Sequence, residues 1–173
     1  RLTLCGLRRS EVLGLDWENV DLGVGSVEVT ASRVKTGRGT ATALGEVKSE
    51  NGLRVVNAEA LHPGTVQPLR ALLLVQGRPE SGLVILDAAG QPVAPDHYSV
   101  RFRALCRDAG VPALARVHNV RHSLATLFEA AKMPEHMAAA LLGHDVVTYR
   151  RFYLVTDNDA AAEAAEEGGR LLA

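Results

Sequence analysis

The sequence predicts an α+β domain that is mainly helical, with a short β-rich segment following its first helix. Two patterns lead there. Val27, Val29 and Ala31 alternate with polar neighbours, and an Asn51-Gly52 pair, a strong hairpin signal, precedes another apolar stretch. Further along, apolar residues recur at helical spacing, and from His118 onward the chain reads as almost wholly helical.

Taken in order, the chain opens at Arg1 without an initiator methionine, in an apolar stretch running into Gly6-Leu7-Arg8. This reads as the end of one helix and the start of another, as expected of a chain cut from a longer one. Val12, Leu13 and Leu15 predict a short helix over residues 9–17, and residues 21–25 supply a turn. Strands are expected from Val27 to Arg33, over residues 40–47 and over residues 53–56. Leu69, Leu72, Leu73 and Gln76 carry helical spacing after Pro68, which a first turn tolerates, and residues 77–82 end that helix. Residues 83–86 form a short apolar run, strand or extended. A polar loop follows, with Asp96 as the expected N-cap of a helix reaching Gly110. Residues 118–132 and 134–142 predict two helices separated by Met133-Pro134, with Gly143 as a natural C-cap. Residues 157–173, rich in Ala and Glu, predict a helical tail interrupted by Gly168-Gly169.

The length of 173 residues suits one domain, and a composition 47% hydrophobic and 23% charged excludes wholesale disorder. The longest apolar runs, residues 71–75 and 137–142, fall well short of the roughly 20 residues of a membrane span. The start of the chain lacks the apolar core of a signal peptide, and Cys5 and Cys106 make no disulfide framework, so a bacterial cytoplasm is the expected location. The net charge of -1 runs against nucleic-acid binding, because phosphate-binding domains are usually basic. Only Lys35, Lys48 and Lys132 are lysines among the 19 basic residues, which leaves few candidates for any role that requires one.

Three stretches place cations and imidazoles around a tyrosine. They are residues 6–15, containing Arg8 and Glu11; residues 118–126, in which His118 and Arg121 share a helix face; and Leu141-Leu142-Gly143-His144, with Tyr153 nine residues beyond His144. Each has a plainer reading. Arg8 alone reads equally as a helix-start arginine in a surface ion pair with Glu11. His144 reads as a helix C-terminal residue favoured by the dipole. His118 and His122, four apart, resemble a metal pair, but Asn119 sits where a His-Glu-x-x-His motif needs its glutamate. His122 is expected to be structural.

Together the three stretches resemble the tyrosine recombinase, or phage integrase, family from the first residues to about Thr156. The family order of Arg, Lys, His-x-x-Arg, His and Tyr maps onto Arg8, Lys48, His118, Arg121, His144 and Tyr153, with every position filled by the expected residue. The Leu-Leu-Gly before His144 and the His-Ser-Leu-Ala-Thr after Arg121 match as well. Of the three tyrosines, Tyr98 reads as packing. Tyr149 lies only five residues past His144, whereas the family nucleophile sits nine or so past it, in a pair like Phe152-Tyr153. Lys35 also lies in the β region, but Lys48 precedes the last strand, as in the family pattern.

The resemblance implies a helical catalytic domain with a small three-stranded antiparallel sheet, the DNA breaking-rejoining enzyme fold. It would span residues 1–156, with residues 157–173 as a C-terminal tail and the family's N-terminal core-binding domain absent from this chain. It implies site-specific recombination or integration by strand cleavage and rejoining through a 3′-phosphotyrosine on Tyr153. Arg8 and Arg121 would hold the phosphate oxygens, each worth about 3–4 kcal/mol in the transition state. Lys48 would protonate the leaving 5′ oxygen, His118 would accept the phenolic proton, and His144 would donate to the phosphate. The implied partners are double-stranded DNA attachment sites, further protomers in a tetramer joined through the tail, and a directionality factor, with no cofactor, metal or membrane. A catalytically silent DNA-binding relative and a type IB topoisomerase are the competing expectations. Much of the positive surface is expected on the missing domain.

Overall fold

The computed structural model describes residues 1–36, 41–46, 50–111 and 116–153. After a tight turn over residues 2–6, helix α1 (Arg9–Gly14) starts where the Glu11 carboxylate accepts the backbone N–H of Arg8, satisfying one of the donors a helix start leaves open. It is shorter than its apolar spacing predicts. Leu15 turns extended, and the Asp16 side chain, accepting from the Glu18 N–H, caps a separate 3-10 turn over Trp17–Asn19.

The β region consists of strands β1 (Val20–Asp21), β2 (Ser26–Val29), β3 (Ala31–Lys35), β4 (Thr42–Glu46) and β5 (Arg54–Asn57). The expected turn joins β1 to β2, with Asp21 Oδ1 accepting from the Gly23 and Val24 N–H groups. A three-stranded antiparallel sheet is present in the order β1-β2-β5, but its membership differs from the one expected. The run predicted as one strand from Val27 to Arg33 divides at Thr30. Its first half, β2, pairs with β5, and its second half, β3, pairs with β4 as a separate two-stranded ribbon. Asn51-Gly52 therefore does not close a hairpin between neighbouring strands. It lies in a 3-10 turn, Glu50–Gly52, that leads into β5.

The remaining elements are helical: α2 (Ala58–Leu61), α3 (Val66–Val75), α4 (Pro95–Asp108), α5 (Val117–Ala130), α6 (Glu135–Leu142) and α7 (Val146–Tyr153). Pro68 sits in the first turn of α3, as its missing N–H allows. Asp96 is not the N-cap of α4. Pro95, with its ring-fixed φ, takes the first helical position, and Asp96 instead pairs with Lys35 at 2.9 Å. Residues 83–86 are extended without forming a strand, with bridges from Leu83 to Asp16 and from Leu86 to Pro92. Gly143 ends α6 with φ of +63°, the left-handed cap its sequence position predicts. The predicted tail, residues 157–173, lies outside the described residues.

Two apolar clusters hold these elements. One gathers Leu7, Val12, Trp17, Val27, Val29, Val56 and Val84 from α1, the three-stranded sheet and the chain beside it. The other gathers Ala125, Phe128, Ala138, Leu142 and Tyr149 from α5, α6 and α7. They meet at Gly6, where an added Cβ would stand 2.9 Å from both Leu124 and Leu142, so only glycine lets the two halves close. The site described below lies along this seam.

Leu142, fully buried beneath the seam, is expected to cost about 2–5 kcal/mol when cut to alanine, lowering the melting temperature by roughly 5–15 °C. Leu127, 63% exposed on α5, is the control: Leu127→Ala is expected to leave the thermal melt nearly unchanged. Equal losses in both variants contradict this description of the core.

Candidate active site

The last carbonyls of a helix have no partner within it, and when the helix ends in the interior something else must donate to them. At the end of α6 three consecutive carbonyls each receive a different arginine. Arg54 Nε donates to Leu141 O at 2.9 Å, Arg121 Nη2 donates to Leu142 O, and Arg8 Nη2 donates to Gly143 O at 2.9 Å. Arg121, only 2% exposed, also donates through Nη1 to Gly6 O and thereby ties the two sides of the seam together. The cations favour this end of the helix dipole as well.

Behind them lies Glu11. Its carboxylate is 2% exposed and accepts from Arg8 N at 2.7 Å, Arg8 Nη1 at 2.6 Å, Arg54 Nη1 at 3.2 Å and Arg54 Nη2 at 2.8 Å. The pair of Arg8 with Glu11 thus exists, but it is not the surface pair that the sequence alone allows. Arg54, 6% exposed, is the second cation, and sequence reasoning missed it because its partners lie 43 and 87 residues away along the chain. Burial alone would push the Glu11 carboxyl up, but the hydrogen bonds and charges of Arg54 and Arg8 outweigh it and hold the group down at about 2. Gly143 is packed against this network: an added Cβ would stand 2.7 Å from Arg54 Nη1 and 3.0 Å from Asn51 O, on a backbone that already favours glycine.

His144 follows directly. Its Nε2 lies 3.1 Å from Arg121 Nη2. A guanidinium can only donate, so the imidazole accepts here. Burial first, then the charges of Arg121, Arg8 and Arg54, pull its midpoint down to about 4, so it is neutral in the free protein. His118, in the first turn of α5, meets the His122 ring edge to face at a centroid distance of 4.3 Å. Partial burial, then His122, Arg121 and Arg8, lower its midpoint too.

Arg8, His118 and Arg121 open into one cleft of about 560 Å³. Arg8 and Arg9 come to it from the start of α1, Arg33 and Lys35 from β3, Arg103 from α4, and Arg116, His118 and Arg121 from the start of α5. Among the described residues seven arginines and lysines line it, and no carboxylate does. A chain whose net charge is -1 therefore presents a strongly positive concavity, and the near-zero total gave no warning of it. Two described carboxylates pair with cations of the lining, Asp96 with Lys35 at the rim and the buried Glu11 with Arg8 from behind. The N-terminus of α5 adds its positive dipole end at the same place.

Of the remaining sequence candidates, Lys48 lies outside the described residues, and Tyr153 is the final residue of α7. Tyr149 is buried at 2% exposure, with its hydroxyl 3.4 Å from Ala125 O, and serves the packing of α7 on α5. Tyr98 packs at the edge of the other cluster, its hydroxyl 2.7 Å from Thr3 Oγ1. Among the described residues no group of three or more His, Cys, Asp or Glu side chains is placed to hold a metal ion, and no helix is long and apolar enough to cross a membrane.

The sequence matches the model of the phage integrase family over residues 2–159. It is 28% identical over 159 residues to tyrosine recombinase XerC 1 of Ralstonia nicotianae, covering 88% of this chain and 46% of that protein. The fold is similar to that of the Tn1549 transposon integrase solved in complex with transposon right end DNA, with a TM-score of 0.74 at 21% identity over 99% of this chain and 57% of that one. It is also similar to XerA recombinase, with a TM-score of 0.62 at 19% identity over 94% of this chain and 53% of that one. The chain spans about half the length of these relatives.

The two depressed midpoints predict how stability depends on pH. His144 titrates near 4 when folded against an ordinary 6.5, so between these values the unfolded chain binds a proton that the native state refuses. Its contribution is complete above 6.5 and is lost as the pH falls toward 4. Glu11, near 2 against an ordinary 4.5, contributes fully above 4.5 and loses that contribution between 4.5 and 2. Melting temperature measured across this range is expected to fall in both windows, and His144→Gln is expected to shallow the upper one only. An unchanged slope between pH 6.5 and 4 in that variant contradicts the assignment.

Proposed function

This chain belongs to the phage integrase family, and from that premise we propose that it cuts and rejoins double-stranded DNA through a 3′-phosphotyrosyl link to Tyr153. The observation that carries the reading is the cleft itself. Arg8, His118 and Arg121 all line it, and α5 begins there at Val117, which gathers the donors and the dipole end an anionic phosphodiester needs.

In the proposed reaction the Tyr153 oxygen attacks phosphorus, a new P–O bond forms, and the bond to the 5′ oxygen breaks. His118, whose lowered midpoint leaves it unprotonated at neutral pH, takes the phenolic proton. Lys48 delivers a proton to the departing 5′ oxygen. Arg8 and Arg121 bind the non-bridging oxygens as their charge builds. A phosphate arriving beside Arg121 competes for the Nη2 donor now given to His144 and offsets the guanidinium charges that keep His144 neutral. His144 then takes up a proton from solvent and donates through Nε2. The phosphotyrosine retains the energy of the phosphodiester, so a 5′ hydroxyl from a second strand reverses the step without ATP.

Residues 1–156 form the catalytic unit in this reading, acting on DNA attachment sites, and residues 157–173 form the tail through which protomers assemble as a tetramer. A directionality factor would act on that assembly. Supporting the DNA substrate are the family membership and the positive cleft; the Tn1549 neighbour was itself solved on DNA.

A suicide duplex carrying a nick beside the cleavage position traps the intermediate. The full-length protein containing this chain is expected to give an SDS-resistant adduct that is abolished in Tyr153→Phe and retained in Tyr149→Phe. Arg8→Ala or Arg121→Ala is expected to slow adduct formation by about 10²–10³-fold. Binding without any adduct supports a catalytically silent relative instead, and an adduct that relaxes supercoils without pairing two duplexes supports topoisomerase-like activity.

A further inference from the structure

The network around Glu11 contains two guanidiniums and one carboxylate, and these three charges do not play equal parts. Arg8 alone is substantially exposed, at 36%, and alone lines the cleft; Arg54 is 6% exposed and Glu11 2%. An arginine whose only charged neighbour is a buried carboxylate forms a neutral pair, with little attraction left for a phosphate. Here the carboxylate is shared, because Arg54 grips both of its oxygens at 3.2 and 2.8 Å. The group as a whole keeps one positive charge, and Arg8 is the member that presents it.

We propose that Arg54 is a positioning residue for the anion site: by neutralising Glu11 it leaves the charge of Arg8 available to a phosphate. The proposal rests on the reading that Arg8 holds a phosphate. The bonds to Gly52 O and Leu141 O fix Arg54 itself, so its guanidinium cannot follow an anion into the cleft. The same bonds anchor the backbone just after Lys48 in sequence and just before His144. Without Arg54, the Arg8 guanidinium is expected to turn from Gly143 O onto both Glu11 oxygens, away from the cleft.

Charge neutralisation and simple scaffolding predict opposite results in compensating variants. Inorganic phosphate titrated against the protein, followed through the Arg8 side-chain NMR resonances, is expected to bind about tenfold more weakly to Arg54→Met than to the parent, matching Arg8→Ala. Arg54→Lys keeps the charge and is expected to stay within about threefold of the parent. The double variant Arg54→Met with Glu11→Gln removes both buried charges, leaves Arg8 cationic, and is expected to recover most of the lost affinity. It also protects the test from misfolding, since it has no unpaired buried carboxylate. Short duplex DNA should follow the same order, with the slope of log affinity against log salt shallower by about one in Arg54→Met and restored in the double variant. A folded double variant that binds phosphate as weakly as Arg8→Ala overturns the proposal, as does Arg54→Lys behaving like Arg54→Met. Phosphate binding in the expected order without duplex binding would leave the proposal standing and overturn the proposed function.

Discussion

The end of helix α6 governs the geometry of the whole site. Three successive carbonyls, of Leu141, Leu142 and Gly143, come to the interior unpaired by their own helix, and three arginines from distant parts of the chain satisfy them. Arg8 arrives from the start of α1, Arg54 from β5 and Arg121 from α5. Satisfying these groups is obligatory, because a buried carbonyl without a donor costs about 1–3 kcal/mol. A requirement of folding thus brings together cations that the chain holds far apart, and two of them, Arg8 and Arg121, also reach the cleft.

Concentrating positive charge in this way is costly unless something offsets it. Glu11 does so from beneath, buried and held ionised by Arg54 and Arg8. His144 responds in the opposite direction, kept neutral by burial and by the three guanidiniums around it. The resting site is therefore poised for an anion: its guanidiniums are anchored, His144 is unprotonated, and none of the described carboxylates lines the cleft. Net charge, summed over the chain, conceals this because it does not record that none of the described carboxylates lines the cleft itself.

Much of this was legible in sequence where the signal is local. His118 and Arg121 lie three apart on one helix and must share a face, and Gly143 follows an apolar helix and takes the left-handed cap. What escaped is non-local. Glu11 was visible as a neighbour of Arg8, but nothing in the spacing places Arg54 on its other side, because that contact depends on β5 pairing with β2 rather than with β4. The strand membership failed for a related reason. A continuous alternating run gives no mark at Thr30, where the chain leaves one sheet and enters the other.

The central claim is that Arg8 and Arg121 converge on one phosphate. A crystal structure of the protein bound to a nicked duplex tests it most directly. The account predicts a single phosphate whose non-bridging oxygens lie about 2.7–3.1 Å from both guanidiniums, with Arg54 still on Glu11. A phosphate seated instead on Arg33 and Arg103, with Arg8 and Arg121 unchanged behind it, would contradict the account.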